Sequence, residues 1–312
     1  MDLVKEINKL RKEKNAVILA HYYQTPDIQD IADFVGDSLA LARMAEQVDT
    51  DIIVFAGVHF MAETAKILNP GTKVVIPDAE AGCSLADSAP SDKFKAFLDK
   101  YPDHKVVSYV NATAAVKTMS DMVCTSGNAV DIVNSFDKDE KIVFAPDKNL
   151  GAYINKMTGR DMVLYPGTCE VHDILTTESI LKMKAKNPDA PLIAHPECQP
   201  PVLEVADYVG STSKLLEYTR KSNAKKFIVA TESGITHQMK KESPDKEFMI
   251  VPAEEGCACN DCPYMKMNTM QKIYLCLKNE RPEITLDDET IEKARKPIQR
   301  MLDLSKKMNI IK

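Results

Sequence analysis

No uninterrupted apolar run in this sequence approaches the roughly 18 residues that a membrane-spanning helix requires. The first fifteen residues, MDLVKEINKLRKEKN, are charged and helical in character, and no apolar segment with a cleavage site follows them. These absences predict a cytoplasmic protein that makes no use of a membrane. An excess of positive charge is missing too: 40 Lys and Arg stand against 46 Asp and Glu, a formal net charge of −6. Such a chain carries no electrostatic footprint for nucleic acid or an anionic lipid surface. If it takes anionic substrates, it must concentrate positive potential locally, for example at helix N-termini. The sequence also lacks His-Glu-x-x-His, the local ligand pattern of many zinc hydrolases.

What is present is ordinary in bulk. Hydrophobic content of 44% with 28% charged residues suits a globular protein, and 312 residues suit two or three units of roughly 100 residues each. Eight cysteines in a chain expected to be cytosolic point to metal or redox chemistry before disulfides. Taken singly, each cysteine reads more readily as a small buried hydrophobe.

The most informative feature is internal repetition. VILAHYY (17–23), DFVGDS (33–38), DIIVFAGV (51–58) and KVVIPDAEAGC (73–83) form a first unit. VVSYVN (106–111), DMVCTS (121–126), KIVFAPD (141–147) and MVLYPGTC (162–169) form a second. LIAHPE (192–197), DYVGST (207–212), KFIVATE (226–232) and EFMIVPAEEGC (247–257) form a third. Asp33, Asp121 and Asp207 anchor the alignment, 88 and 86 residues apart. His21, Tyr109 and His195 each lie 12 residues before their anchor, Tyr23, Asn111 and Glu197 lie 10 before, and Ser38, Ser126 and Thr212 lie 5 after.

Each unit reads as four short β-rich runs separated by helical segments, β-α-β-α-β-α-β. The runs are near-continuously apolar, as in a parallel sheet covered on both faces, which predicts three pseudo-threefold-related α/β/α units with short four-stranded sheets. The expected boundaries are 1–84, 85–171 and 172–284, the last including Cys257, Cys259 and Cys262. A terminal helix within 285–312, with Pro297 inside it, is expected to pack back on the first unit.

Ligands of such sheets gather beyond the carboxyl ends of the strands, at the shared junction. His21, Tyr23, Tyr109, Asn111, His195 and Glu197 all fall there. Ser38, Ser126 and Thr212 fall where the second strand gives way to a helix, an N-cap position suited to an anion. A single such hydroxyl is more often a plain structural cap. Three equivalent ones beside three equivalent polar strand ends favour a common site.

Cys83 and Cys169 close the fourth strand of the first two units, 86 residues apart, and the third unit carries Cys257, Cys259 and Cys262 there. One cysteine from each unit, meeting on a pseudo-threefold axis, can hold three irons of a [4Fe-4S] cluster and leave the fourth iron open. An open iron is a Lewis acid able to hold a substrate oxygen and assist loss of water. Ferredoxin ligands are close in sequence and coordinate every iron, so the wide spacing points to catalysis. The local run C-A-C-N-D-C-P also permits a zinc knuckle or a C-x-x-C redox pair. In repeat register the third ligand is Cys257, because Thr231 precedes it by the same 26 residues that separate Gly57 from Cys83. Cys198 adjoins a polar strand end, and Cys124 and Cys276 read as core.

AHYYQ (20–24), DIADFVGDS (30–38), GVHFMAE (57–63), YVNATA (109–114), CTSGNAV (124–130), AHPEC (194–198), VGST (209–212) and CPYMKMNT (262–269) together resemble the A-type quinolinate synthases along nearly the whole chain. That resemblance implies a transferase of de novo NAD biosynthesis that condenses iminoaspartate with dihydroxyacetone phosphate to quinolinate, releasing phosphate and two waters. It implies three α/β domains around one [4Fe-4S] cluster with three cysteine ligands and one open iron. By the family pattern those ligands are Cys83, Cys169 and Cys262, the last because it directly precedes Pro-Tyr-Met-Lys-Met-Asn. Cys257 and Cys259 are then spare thiols available for a reversible disulfide, although the family's usual C-x-x-C-x-x-C is C-x-C-x-x-C here. The implied substrate contacts are His21, Tyr23, Ser38, Tyr109, Asn111, Ser126, His172, His195, Glu197, Ser211 and Thr212. Of these, Glu197 is the implied proton shuttle, helped by His21, Tyr23, Tyr109 and His195. An iminoaspartate-producing oxidase or dehydrogenase is the implied transient partner.

Overall fold

The computed structural model describes residues 2–253 and 260–310. Cys257 and Cys259, and with them the ligand expected from repeat register and the expected disulfide, lie outside the described residues. The described chain builds three four-stranded sheets, each wholly parallel. The first contains β1 (Ala16–His21), β2 (Phe34–Gly36), β3 (Ile52–Ala56) and β4 (Lys73–Val75), in the order β2-β1-β3-β4. The second contains β5 (Lys105–Tyr109), β6 (Met122–Cys124), β7 (Ile142–Ala145) and β8 (Val163–Leu164), in the order β6-β5-β7-β8. The third contains β9 (Leu192–Ala194), β10 (Tyr208–Val209), β11 (Lys226–Ala230) and β12 (Glu247–Ile250), in the order β10-β9-β11-β12. The threefold α/β architecture expected from the repeat is the one observed.

The apolar runs form these strands because helices cover both faces. Every residue of β3 and β7 is buried. Neighbours along one strand serve opposite cores: Ile18, Ala20 and Val54 pack on one side of the first sheet, Leu19, Ile53 and Phe55 on the other. The third sheet divides in the same way, with Leu192 and Ile228 on one face and Ile193, Phe227 and Val229 on the other. Strands buried on both faces need no polar alternation.

The recurring aspartates have a common task. The backbone N–H of Asp33 donates to the Ile18 carbonyl at 2.9 Å, and the Asp33 carboxylate accepts the Ile18 N–H at 2.8 Å. Asp121 holds Val106 in the same way, at 2.9 Å for both bonds. Asp207 holds Leu192 at 2.8 and 2.7 Å. One aspartate thus clasps both backbone groups of one residue on the first strand. This two-point clasp sets the register in which the second strand joins the first, as in Leu19 beside Phe34, Val107 beside Met122 and Ile193 beside Tyr208. A slip of one residue would turn every side chain to the wrong face.

The terminal helix spans Asp288–Lys307 and contains Pro297. It lies against the helix His59–Leu68 of the first unit and against the helix Ala114–Lys117 and β6 of the second. Its Ile298, Met301 and Leu302 enter an apolar core shared by Phe55 and Val74 of the first sheet with Val107 and Phe144 of the second. Arg300 donates to the Asp121 carbonyl at 2.8 Å, and Asn128 donates to Ser305 Oγ at 2.9 Å. A shorter helix, Met270–Asn279, packs on the first unit against the helix Leu3–Glu13 and β3. Among the described residues no helix is long and apolar enough to cross a membrane.

The clasp makes a direct prediction for stability. Asp121→Ala strands a backbone N–H and is expected to cost about 1–3 kcal/mol, read as a lower urea midpoint. Asp121→Asn keeps an accepting oxygen and should lose less than half as much. Equal losses in the two variants would show that the charge, not the clasp, carries the effect.

Candidate active site

The carboxyl ends of the three sheets face one cleft. Tyr23 follows β1 by two residues, Asn111 follows β5 by two, and His195 and Glu197 follow β9 by one and three. Cys83, Cys169 and Cys262, one from each unit, line the same space, with His21, Ser38, Tyr109, Ser126, His172 and Thr212. Every expected substrate contact and cluster ligand among the described residues lines the cleft except Ser211.

The three hydroxyl residues depart from the expected capping role. The helix Ser38–Gln47 is capped by Asp37, whose carboxylate accepts the Ala40 N–H at 3.0 Å. The helix Thr212–Lys221 is capped by Ser211, which accepts the Lys214 N–H at 3.4 Å. Ser126 precedes the cap residue Asn128 of the helix Ala129–Asn134 by two positions. In the first two cases the preceding polar residue is extended, as N-cap geometry demands, so the next residue is already helical. Ser38 and Thr212 are therefore first helical residues whose hydroxyls do not cap. Thr212 Oγ1 lies 3.2 Å from the Tyr23 hydroxyl, and Ser126 Oγ lies 3.1 Å from His195 Nε2.

Glu197 is the hub of the site. Its Oε2 lies 2.8 Å from His172 Nδ1, and the Tyr109 hydroxyl also donates to its carboxylate. Its Oε1 is buried with no hydrogen-bond partner, as is Asn111 Oδ1. From His172 a chain of contacts crosses the units: Nε2 lies 2.9 Å from Thr231 Oγ1, which lies 2.9 Å from the Tyr23 hydroxyl. The His172 and His195 rings stack with centroids 4.7 Å apart.

His21 and His195 share one local conformation. The N–H of Tyr23 donates to His21 Nδ1 at 3.2 Å, and the N–H of Glu197 donates to His195 Nδ1 at 3.4 Å. With Nδ1 accepting, each neutral ring carries its proton on Nε2. Burial, then neighbouring imidazole, holds both rings down to about 3, outweighing the Glu197 carboxylate. Burial and the same carboxylate push the Tyr23 and Tyr109 hydroxyls well up. Burial alone would raise Glu197 itself, but the imidazoles of His172 and His195 and the bonds from His172 and Tyr109 bring it down to about 2. At neutral pH the His21 and His195 rings are therefore neutral beside the Glu197 carboxylate.

The three cysteines are partly buried. Burial raises Cys83 to about 12, Cys262 to about 11 and Cys169 well above the usual range. Mutual repulsion adds to the rise at Cys83 and Cys169. N–H groups of Ala86 and Leu85 point at the Cys83 sulfur, and those of Met265 and Tyr264 at Cys262, offsetting part of it. Such thiols ionise together only beside a cation, so the residues present can bind metal. Cys169, His172 and Glu197 also bring one ligand atom each within 4.8 Å of one another.

Several residues that hold the site went unmarked in the sequence. Glu232, fully buried, accepts the Cys262 N–H at 3.1 Å and pairs with Lys266 at 2.7 Å. Lys266 also donates to the Tyr23 carbonyl at 2.7 Å, tying the Cys262 segment to the first unit. Asp147, fully buried, accepts the Cys169 N–H at 3.2 Å. The signal available was their place: each acid lies just beyond an apolar run, in KFIVATE and KIVFAPD. Lys117 is also fully buried, on the Ala112 carbonyl at 2.7 Å and Thr64 Oγ1 at 3.1 Å, and burial lowers it to about 8. No sequence pattern marked it. Cys124 and Cys276 are core residues, and Cys198 is buried with its thiol toward the Ala230 carbonyl.

Known proteins match this chain along nearly its whole length. The family profile described as Quinolinate synthetase A protein matches residues 5–303. The quinolinate synthase of Prochlorococcus marinus (strain MIT 9303) is 58% identical over 301 residues, covering 96% of this chain and 90% of the relative. That of Chloroherpeton thalassium is 55% identical over 307 residues, covering 98% and 95%. That of Trichodesmium erythraeum is 56% identical over 304 residues, covering 97% and 94%. With three units, one cleft and this extent of identity in agreement, the chain belongs to the quinolinate synthetase A protein family.

Proposed function

We propose that this chain is a quinolinate synthase that condenses iminoaspartate with dihydroxyacetone phosphate to quinolinate, releasing phosphate and two waters. In this reading Cys83, Cys169 and Cys262 hold a [4Fe-4S] cluster with one iron open to substrate. The observation that carries it is the meeting of one cysteine from each unit with the Glu197 carboxylate in a single cleft. The donor set fits a cluster rather than a single ion. Among the described residues, the three sulfurs do not form a set whose ligand atoms all lie within 4.8 Å of one another, as ligands of a single ion would. Backbone N–H groups aimed at Cys83 and Cys262 suit thiolate ligands. When bound, the cluster supplies a Lewis acid that polarises a substrate oxygen and assists loss of water.

The protein residues carry the remaining roles. The N-termini of the helices Ser38–Gln47 and Thr212–Lys221, with the hydroxyls of Ser38 and Thr212, receive the phosphate and carboxylate groups. Ser126, Asn111 and the Nε2–H groups of His21 and His195 orient the substrates without adding positive charge. Glu197 Oε1, ionised and unpartnered, takes the proton from the reacting carbon and returns it during the ketone-to-aldehyde shift. The Tyr109 hydroxyl and His172 stabilise the carboxylate between these transfers. An oxidase or dehydrogenase in the same cytoplasmic compartment supplies the iminoaspartate.

Cysteine replacement tests the cluster. Cys83→Ser, Cys169→Ser and Cys262→Ser should each lose bound iron and the broad visible iron–sulfur absorption under anaerobic conditions. Cys124→Ser and Cys276→Ser should keep both. Retention by Cys262→Ser would move the third ligand elsewhere, with Cys257 the first alternative.

Thr212→Ala removes a hydroxyl but leaves the helix N-terminus and the Ser211 cap. Binding should weaken by about 1–3 kcal/mol, mainly as a higher KM for dihydroxyacetone phosphate. An unchanged KM would confine Thr212 to its contact with Tyr23.

Glu197→Gln keeps shape and an accepting oxygen but removes the base. Its kcat for quinolinate should fall by about 10²–10⁴-fold with the cluster spectrum intact. Mass spectrometry after quenching should then detect a condensed, uncyclised intermediate. Turnover near the wild-type rate would assign the base to another residue.

A further inference from the structure

Cys169, His172 and Glu197 form a ligand set distinct from the three cysteines. His172 Nδ1 lies 3.3 Å from Cys169 Sγ and 2.8 Å from Glu197 Oε2. In a tetrahedral zinc site, bonds of about 2.0–2.3 Å place neighbouring N, O and S ligands roughly 3.3–3.6 Å apart. The N–S edge is already of that length, and the N–O edge needs to open by about half an ångström.

Two further observations point to a cation. Thr231 Oγ1 lies 2.9 Å from His172 Nε2 and can accept a hydrogen bond from an Nε2–H, the tautomer that leaves the Nδ1 lone pair free for a metal. An outer-shell contact of this kind fixes the tautomer and orientation of a metal-bound imidazole. Independently, Glu197 Oε1 is buried without a partner, although the residue is only 2% exposed. A buried carboxylate oxygen of this kind is a ready additional donor.

The geometry points to a mononuclear site for a zinc-class divalent cation at Cys169, His172 and Glu197 in the cluster-free chain, incompatible with the three-cysteine cluster because both require the Cys169 sulfur. The incompatibility rests on the cluster reading above; the cation site does not. On binding, the Cys169 S–H bond breaks, its proton leaves to solvent and its sulfur bonds the cation. His172 binds neutral, its proton moving from Nδ1 to Nε2, and no electron is transferred. The cation also takes the proposed base, so one ion removes a cluster ligand and a proton shuttle together. Zinc excess then competes with assembly of the active enzyme.

The test uses the full chain with iron removed anaerobically by a chelator and the fold verified by circular dichroism. Co²⁺ is the probe, since its visible bands report thiolate ligation. One Co²⁺ per chain with a single thiolate is expected. Cys83→Ser and Cys262→Ser should bind like the wild type, whereas Cys169→Ser and the conservative His172→Gln should each bind at least tenfold more weakly. Preloading with Zn²⁺ should block reconstitution with iron and sulfide until the zinc is chelated. No stoichiometric Co²⁺ binding, or equal loss in Cys83→Ser or Cys262→Ser, would overturn the site. Cluster formation undiminished by bound Zn²⁺ overturns the incompatibility. Failure of the zinc-free chain to form any cluster, with Co²⁺ behaving as stated, overturns the cluster reading and leaves the cation site standing.

Discussion

Everything at the centre of this protein depends on a backbone clasp made three times. An aspartate at the start of each second strand exchanges a hydrogen bond through its own N–H and accepts another through its carboxylate, both with one residue of the first strand. Because the clasped residue lies three positions before His21, Tyr109 and His195, the three polar strand ends emerge level. The cleft follows from that registry. The polar ends of the first strands and the helix starts that follow the second strands line it together.

What gathers there is an electrostatic problem solved by neutrality. Burying an isolated carboxylate costs far more than a fold of this size can spare. Glu197 stays ionised through bonds from His172 and Tyr109, while the two other histidines nearby give up their charge. The site is consequently poor in fixed positive charge, apart from the peptide dipoles at helix ends. The acids that hold the cysteine segments, Asp147 and Glu232, use their carboxylates on backbone N–H groups, so that they act as clamps.

Much of this was legible in the sequence because the repeat multiplies weak signals. A histidine or serine alone says little, but the same chemistry at one offset from Asp33, Asp121 and Asp207 marks a strand end three times. The capping assignment failed where two polar residues are adjacent. Asp37 with Ser38, and Ser211 with Thr212, can each be cap or first helical residue, and only the backbone angles decide. Glu232 and Lys266 were missed because their pairing joins distant segments that share no register. The same pairing explains how Cys262 reaches the cleft although it lies outside repeat register: Glu232 and Lys266 hold its segment directly. The terminal helix was visible as a helix, but its seat across two units depends on surfaces created only after both units have folded.

The level strand ends have one more consequence, which concerns symmetry. A ring of three identical subunits would present the same side chain three times at its axis, and three carboxylates there would repel one another. Here one continuous chain supplies all three units, and the equivalent positions are Tyr23, Asn111 and Glu197. The frame keeps its threefold regularity while its contents do not. A single negative charge off one strand end gives the cleft a direction, and a substrate with unlike ends can be held in one orientation only.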